Sequence, residues 1–301
     1  MMGISHKLFS VLTIIMLSKH MQSQIKTYCI IGDPIQYSLS PAMQNSAFNS
    51  LGLNCTYIAF RVPKGELELS ISSLRSINIA GFNVTIPHKV EVINHVDALD
   101  STAEKATAAN TVNNVEGILT AYNTDVYGFI EPLHKRNVSF NGMTILLLGA
   151  GGAARAVIAA LSEQNGISKI LIANRSLKKA EELAEIGASL GLKCNAMDLH
   201  SIQQAAARSH LIVNSTPVGM NNEDSVIGHE HIMKDSIVYD IVYKPMTTNL
   251  LENARYAEAQ IVYGYEMLVE QGAKAFEIWT GITAPREAMK RALFGSFGEP
   301  L

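Results

Sequence analysis

Thr144-Ile145-Leu146-Leu147-Leu148-Gly149-Ala150-Gly151-Gly152-Ala153-Ala154-Arg155 is the stretch on which the fold turns. Thr144 to Leu148 is the nearly unbroken apolar run expected of a strand covered on both faces. It passes directly into GxGxxA and then into a helix-compatible stretch, Ala156 to Leu161. Gly149 permits a tight turn and Gly151 lets the backbone approach a pyrophosphate. Ala154 lets helix pack closely on strand, and the helix N-terminus offers free N–H donors. A glycine-rich turn alone is a weak signal. Framed by a buried strand and a helix, it reads as a dinucleotide site.

The next strand, Ile170 to Ala173, selects the dinucleotide. Where an NAD-binding chain usually carries an acidic residue for the ribose 2′-hydroxyl, this one has Asn174-Arg175-Ser176, followed by Lys178 and Lys179. No carboxylate stands there to repel a phosphate. Arg175 can stack on the adenine or fork onto a 2′-phosphate, and Lys179 adds charge. The cofactor expected is NADP(H).

Working outward, strands and helices alternate from the start. Tyr28 to Ile31 is a strand ended by Gly32-Asp33-Pro34, Pro41 opens a helix over Ala42 to Leu51, and Cys55 to Val62 is a second strand. Leu67 to Ile77 reads as a helix and Gly81 to Thr85 as a third strand. Such alternation predicts an α/β fold with a largely parallel sheet. The rhythm breaks around Asn123 to Phe140 and restarts at Met143, which puts a domain boundary near Asn123 to Gly128. The last helices are expected to return to the first domain, giving 25–124 plus 265–301 and 125–264 as the two units. Composition agrees with a chain of two domains: 301 residues, 48% hydrophobic and 17% charged. A net charge of −3 offers no electrostatic reason to bind nucleic acid or an acidic membrane. Cys29, Cys55 and Cys194 are too scattered for a CxxC site and odd in number, which points to a reducing, cytoplasmic setting.

The first twenty residues do not match the rest. Leu8 to Leu17 is an apolar run of ten, against about 20 needed to cross a bilayer. Ser18-Lys19-His20 follows without a small-residue cleavage site, and Met21 stands just before the first strand. Residues 1–24 are expected to be a disordered leader or an over-extended start.

In the first half, hydroxyl and amide side chains gather at the ends of apolar strands: Ser38-Leu39-Ser40-Pro41, Asn83 to Lys89 and Ala109-Asn110-Thr111-Val112. Any one of them could be a turn or cap, and Ser40 before Pro41 reads as an N-cap. Together, with Asn123-Thr124-Asp125 and the single Lys89, they suit a small polyhydroxylated ligand at the open ends of a sheet. A simple ion pair closing a strand end is the alternative for Lys89 and Asp125. His229-Glu230-His231 reads as a loop or helix start rather than a metal site, and Trp279 and the methionines read as core.

These segments, taken in order, resemble the shikimate dehydrogenases of aromatic amino-acid (chorismate) biosynthesis. The motifs are S-x-S-P (38–41), G-x-N-V-T-x-P-x-K (81–89), A-N-T-V (109–112), N-T-D-x-x-G (123–128) and G-A-G-G-A-A-R (149–155). N-R-S (174–176), N-S-T-P-x-G-M (214–220), Y-x-P (243–245) and M-L-V-x-Q (267–271) follow. The resemblance covers about residues 25–295. It implies an oxidoreductase with an N-terminal α/β substrate domain and a Rossmann-type NADP-binding domain. It also implies roles. Ser38, Ser40 and Tyr243 would hold the substrate carboxylate, and Thr85, Asn110 and Gln271 the ring hydroxyls. Lys89 and Asp125 would be catalytic, with Asp125 also touching substrate. Gly149, Ala150, Gly151, Gly152, Ala153, Asn174, Arg175, Ser176, Lys179, Ile241 and Gly264 would form the cofactor site.

Chemically, hydride transfer needs cofactor and substrate held together, and Lys89 beside Asp125 supplies charge stabilisation and a transferable proton. Gln271 offers a separate check: Leu268, Ala275 and Ile278 mark an apolar face around it, so its amide needs a partner, a substrate hydroxyl or nearby backbone. The chain departs from the family pattern at His88, normally apolar, expected to tune packing beside Lys89, and in the polar Asn221-Asn222 after Met220. The competing readings are a quinate/shikimate dehydrogenase of broader substrate and cofactor use, a non-catalytic metabolite sensor and a folate-linked dehydrogenase. Asn174-Arg175-Ser176, the retained Lys89 and Asp125, and the polyol-binding residues disfavour these in turn. The partner expected is a small-molecule substrate, with no metal, nucleic acid or membrane; a homodimer is compatible with the resemblance.

Overall fold

The structure, a computed structural model, describes residues 25–220 and 225–298. The expected leader and the Asn221-Asn222 segment lie outside the described residues. From Lys26 the chain forms β1 (Lys26–Gly32), α1 (Ser40–Ser50), β2 (Cys55–Arg61), α2 (Leu67–Ser76), β3 (Gly81–Val84) and β4 (Ala98–Leu99). It continues with α3 (Ser101–Ala106), β5 (Thr111–Val115) and β6 (Ile118–Tyr122). These strands make one sheet in the order β2-β1-β3-β5-β6-β4. The expected parallel arrangement holds for three of the five strand pairings and gives way at β5. β1 runs parallel to β2 and β3, and β4 to β6, but β3–β5 and β5–β6 are antiparallel. The cause is local. Only Glu116 (φ 53°) and Gly117 (φ 86°) connect β5 to β6, and a two-residue loop with both φ positive is a hairpin turn. The Asn114 side chain completes it by accepting from the Gly117 N–H at 2.9 Å.

The second half contains α4 (Thr124–Lys135), β7 (Thr144–Leu148), α5 (Gly152–Ser162), β8 (Lys169–Ala173), α6 (Leu177–Ser189) and β9 (Cys194–Met197). Next come α7 (Ile202–Ala206), β10 (Leu211–Asn214), β11 (Ile237–Asp240), α8 (Asn249–Tyr256), β12 (Gln260–Val262), α9 (Gly264–Thr280) and α10 (Arg286–Phe297). Here the sheet is wholly parallel, ordered β12-β11-β10-β7-β8-β9. That is the doubly wound Rossmann order, with its switch point between β7 and β10. β7 is buried along its whole length, as its composition demands. Val157, Leu161 and Phe129 cover one face of the sheet, and Ile202, Leu250 and Leu251 the other.

The C-terminal helices do return to the first sheet. Phe276 and Trp279 of α9 and Met289 and Leu293 of α10 pack with Tyr28, Phe48 and Tyr57. Trp279 stacks on Tyr28 at 5.0 Å and donates its indole N–H to the Val112 carbonyl at 3.0 Å. The indole thus buries a large apolar face with its polar atom satisfied. α4 and α9 pass between the two sheets and pack on each other.

Two local readings change. α1 begins at Ser40, its cap residue is Leu39, and Pro41 sits in the first turn. Ser40 is therefore the first helical residue and not the N-cap; Ser38 Oγ instead accepts the Ser40 N–H at 3.3 Å. α5 begins at Gly152, four residues before the expected Ala156, because Ala153 and Ala154 are strong helix formers.

Candidate active site

The glycine turn after β7 is built for an anion. Gly149 has φ 106°, and a Cβ there would lie 2.6 Å from Ser215 Oγ, so only glycine fits. The cap residue of α5 is Gly151, extended and with no side-chain cap. The first-turn N–H groups are therefore free of any capping side chain and open to a phosphate. Asn174 turns its amide back to the Ser176 carbonyl at 3.0 Å, and Ser176 caps α6. Arg175 and Lys179 are exposed beside it. Neither forms an ion pair among the described residues, so both are available to a 2′-phosphate. The donor set fits NADP(H).

Opposite this turn, four of the expected residues are joined directly. Lys89 Nζ lies 2.6 Å from Asp125 Oδ2. The Asn110 amide donates to Asp125 Oδ1 at 2.8 Å and to Gln271 Oε1 at 3.4 Å. The Asp125 side chain is 6% exposed and that of Lys89 19%, so the carboxylate is sheltered while the ammonium keeps a solvent-facing side. Lys89 leaves the C-terminal side of β3, Asn110 precedes β5, and Asp125 stands in the first turn of α4. Lys89 also touches the cofactor turn: a Cβ on Gly152 would lie 3.0 Å from Lys89 Cβ and 3.2 Å from its Cδ. The lysine stem thus rests on the glycine turn of the other sheet.

Below this group runs a polar chain that links the hydroxyl and amide segments read from the sequence and adds Tyr57, which that reading did not single out. Asn110 Oδ1 accepts from the Thr124 N–H at 2.8 Å and from Thr111 Oγ1 at 3.1 Å. With donors around its oxygen, the Asn110 amide must point its NH2 at Asp125. Asn83 donates to Thr111 Oγ1 at 2.9 Å and to the Asn110 carbonyl at 3.0 Å, and accepts from Tyr57 OH at 2.6 Å. An asparagine inside the fully buried Gly81–Val84 strand was the available signal, since a buried amide must be satisfied.

Of its two expected partners, Gln271 has the backbone one in this structure. It donates to the Leu268 carbonyl at 2.8 Å, the backbone partner, and faces Asn110. On its face Ala275 is fully buried and Leu268 and Ile278 are half-buried against the core of the first sheet. Val269, Ala273 and Phe276 are buried beside them, because α9 is covered on several sides. Gly128, last of the N-T-D-x-x-G motif, explains how α4 comes so close. A Cβ there would lie 2.7 Å from Gln271 Cβ and 2.9 Å from the Met267 carbonyl oxygen. Gly128→Ala should therefore destabilise the fold by about 1–3 kcal/mol through overpacking, despite alanine's higher helix propensity. A thermal melt several degrees below wild type is the expected reading; an unchanged or raised melt would refute the contact.

Other expected residues are not hydrogen-bonded into this group among the described residues. Ser38 is half-buried and Ser40 buried at the start of α1, Thr85 follows β3, and Tyr243 follows β11. Burial pushes the Tyr243 phenol pKa up. The Ile241 N–H donates to the Asn214 carbonyl at 3.0 Å. Gly264 opens α9 so tightly against the chain that a Cβ would lie 2.5 Å from the Ile241 carbonyl oxygen. His88 is fully buried, and its Nε2 lies 2.7 Å from the Val62 carbonyl oxygen. It must donate there, pinning the turn that presents Lys89 without bonding to Lys89 itself. A hollow of about 390 Å³ beside Arg136, His210 and Gln260 lies at the opposite, N-terminal end of the second sheet and contains none of these residues. His229 to His231 form a short turn in which both rings face Glu230 at 3.5 and 3.4 Å. Among the described residues no group of three or more His, Cys, Asp or Glu is placed to hold a metal.

Comparison with known proteins follows the same division. Residues 30–112 match the shikimate dehydrogenase substrate-binding domain, 132–239 the shikimate/quinate 5-dehydrogenase domain and 264–294 the shikimate 5′-dehydrogenase C-terminal domain. A shikimate dehydrogenase (NADP(+)) of Nitrosopumilus maritimus is 47% identical over 272 residues, 90% of this chain and 99% of that one. This chain belongs to the shikimate dehydrogenase family. Among solved structures, the shikimate 5-dehydrogenase of Thermus thermophilus in complex with NADP(H) and shikimate is similar with a TM-score of 0.79. It is 34% identical and covers 89% of this chain and 98% of that one. Quinate dehydrogenase of Corynebacterium glutamicum in complex with NAD is similar with a TM-score of 0.83. Identity there is 25%, with 90% and 99% covered. In this member of the shikimate dehydrogenase family, Lys89 and Asn110 fall in the substrate-binding match, Gln271 in the C-terminal match and the glycine turn in the 132–239 match. The first and third of these segments meet at Lys89 and Gly152.

Proposed function

We propose that this protein catalyses the reversible NADPH-dependent reduction of 3-dehydroshikimate to shikimate. The observation that carries the reading is Lys89: its Nζ is 2.6 Å from Asp125 while its stem lies on the glycine turn. One lysine thus adjoins both the polar group, through its ammonium, and the dinucleotide turn, through its stem. NADP(H), when bound, supplies the hydride. In this reading the N–H groups at the start of α5 hold the pyrophosphate, and Arg175 and Lys179 hold the 2′-phosphate. Gly149 to Ala153, Asn174, Ser176, Ile241 and Gly264 shape the rest of that surface.

Lys89 has three N–H donors and gives one to Asp125. The others face the reacting oxygen, offsetting the charge that grows on it during reduction and delivering its proton. Asp125 holds the amine in place. Asn110, locked by Thr111 and Thr124, orients Asp125 and meets a ring hydroxyl, as do Thr85 and Gln271. Ser38, Ser40 and Tyr243 take the carboxylate. We assign residues 25–124 with 265–301 to the substrate domain and 125–264 to the cofactor domain, a division supported by β6 ending at Tyr122 and α9 beginning at Gly264. No helix among the described residues is long and apolar enough to cross a membrane, and we place the enzyme in the cytoplasm.

The test is an assay of NADP⁺ and NAD⁺ reduction, each with shikimate and with quinate. Shikimate with NADP⁺ is expected to give by far the highest kcat/KM. Equal use of NAD⁺, or preference for quinate, would overturn the reading in favour of a broader quinate/shikimate dehydrogenase.

A further inference from the structure

We infer that Asp240, which touches neither ligand in the reading above, is a positioning residue that holds the Tyr243 loop in its substrate-binding shape. Asp240 ends β11 and is fully buried. No cation pairs with it among the described residues. Three donors converge on its carboxyl group: Asn214 Nδ2 at 2.9 Å and the Val242 N–H at 3.0 Å on Oδ1, and Thr248 Oγ1 at 2.6 Å on Oδ2. Burial pushes its pKa up to about 6, which marks how costly a charge is at this place.

The topology of those contacts gives the role. Val242 precedes Tyr243 by one residue, and Thr248 caps α8 five residues after it. One carboxyl group therefore clasps both ends of the loop that carries the tyrosine. The third donor, Asn214, belongs to the strand paired in register with β11. Its own oxygen accepts from Thr216 N and Oγ1 at 3.1 and 2.7 Å, so the clasp is anchored on the turn beyond β10. An asparagine is a poorer clasp than the carboxylate. Its one oxygen can serve Asn214 and Val242, but its NH2 takes the place of Oδ2. That forces the Thr248 hydroxyl to turn from donor to acceptor, where it already accepts the Leu251 N–H at 3.4 Å. Ile241 is held differently, by its backbone N–H on the Asn214 carbonyl. Loss of the carboxylate therefore loosens the tyrosine loop and leaves the ladder at Ile241 intact.

The inference rests on Tyr243 binding the substrate carboxylate, and the experiment separates the two. Steady-state kinetics are measured for Asp240→Asn, Thr248→Val, Tyr243→Phe and the double variant Asp240→Asn/Tyr243→Phe. Asp240→Asn is expected to raise the KM for shikimate about tenfold, the worth of a misplaced hydrogen bond. The KM for NADP⁺ should stay within about threefold, since the Ile241 ladder does not depend on the carboxylate. Thr248→Val removes one donor only and should shift shikimate KM in the same direction by less; it keeps the test alive if Asp240→Asn does not fold. In the Tyr243→Phe background, Asp240→Asn should add little, because both changes act on one contact. If Tyr243→Phe raises shikimate KM while Asp240→Asn and Thr248→Val do not, the positioning role is wrong. A full additional rise in the double variant, or a parallel rise in both KM values, overturns it as well. If Tyr243→Phe leaves shikimate KM unchanged, the assignment of Tyr243 falls and takes this inference with it.

Discussion

Lys89→Met should lower turnover by roughly two to four orders of magnitude, the range for losing a positioned general acid, while shikimate still binds. Methionine is the informative replacement because of what the stem does. Lys89 Cβ and Cδ pack against Gly152, and methionine keeps a chain of similar length and apolar character there. The ammonium alone is lost, and with it the 2.6 Å contact to Asp125. Asp125 is sheltered and would be left without its cation, a costly arrangement, but it retains the Asn110 amide at 2.8 Å. Far-UV circular dichroism should therefore be recorded beside the kinetics. Substrate affinity, set by Ser38, Ser40, Thr85 and Gln271 in our reading, should change little. A folded Lys89→Met protein with near-normal turnover would remove the lysine from the mechanism and leave a strand-end ion pair in its place.

Arg175→Asp should raise the KM for NADPH by roughly 10- to 100-fold, the worth of a charge-assisted hydrogen bond to phosphate, and spare the KM for 3-dehydroshikimate. Two effects add. The substitution deletes an exposed guanidinium at the end of β8, and it installs the acidic residue that would repel a 2′-phosphate and accept from a 2′-hydroxyl. The same variant should therefore gain relative use of NADH. Because Arg175 is exposed and outside every ion pair among the described residues, no loss of stability should cloud the result. The prediction fails if the KM for NADPH holds, or if both substrates weaken equally.

How far the site could be read in advance depended on how local each signal was. The glycine turn is a local code: strand, turn and helix are adjacent in sequence, so Gly149 to Ala154 were legible with their roles. Lys89 and Asp125 lie 36 positions apart, and no periodicity links them; only the ordered motifs placed them together. The β5–β6 hairpin escaped notice because Glu116 takes positive φ, uncommon for a residue that is neither Gly nor Asn. The apolar face around Gln271 was legible from Leu268, Ala275 and Ile278, which all join the core of the first sheet. A single stripe could not show that α9 is covered by α4, by the first sheet and by α10 as well. Asn83 and Asp240 were legible in principle as polar residues in strands of four, Gly-Phe-Asn-Val and Ile-Val-Tyr-Asp. Their partners, Tyr57 and Thr248 among them, follow only from the folded chain.

The whole account depends on the amine of Lys89 and the carboxylate of Asp125 meeting the alcohol that is oxidised, beside the glycine turn. A crystal structure of the protein with NADP⁺ and shikimate both bound measures this directly. The account predicts the reacting hydroxyl within hydrogen-bonding distance of Lys89 Nζ and Asp125, with the lysine stem still on Gly152. A hydroxyl separated from both groups by more than one bridging water would contradict it.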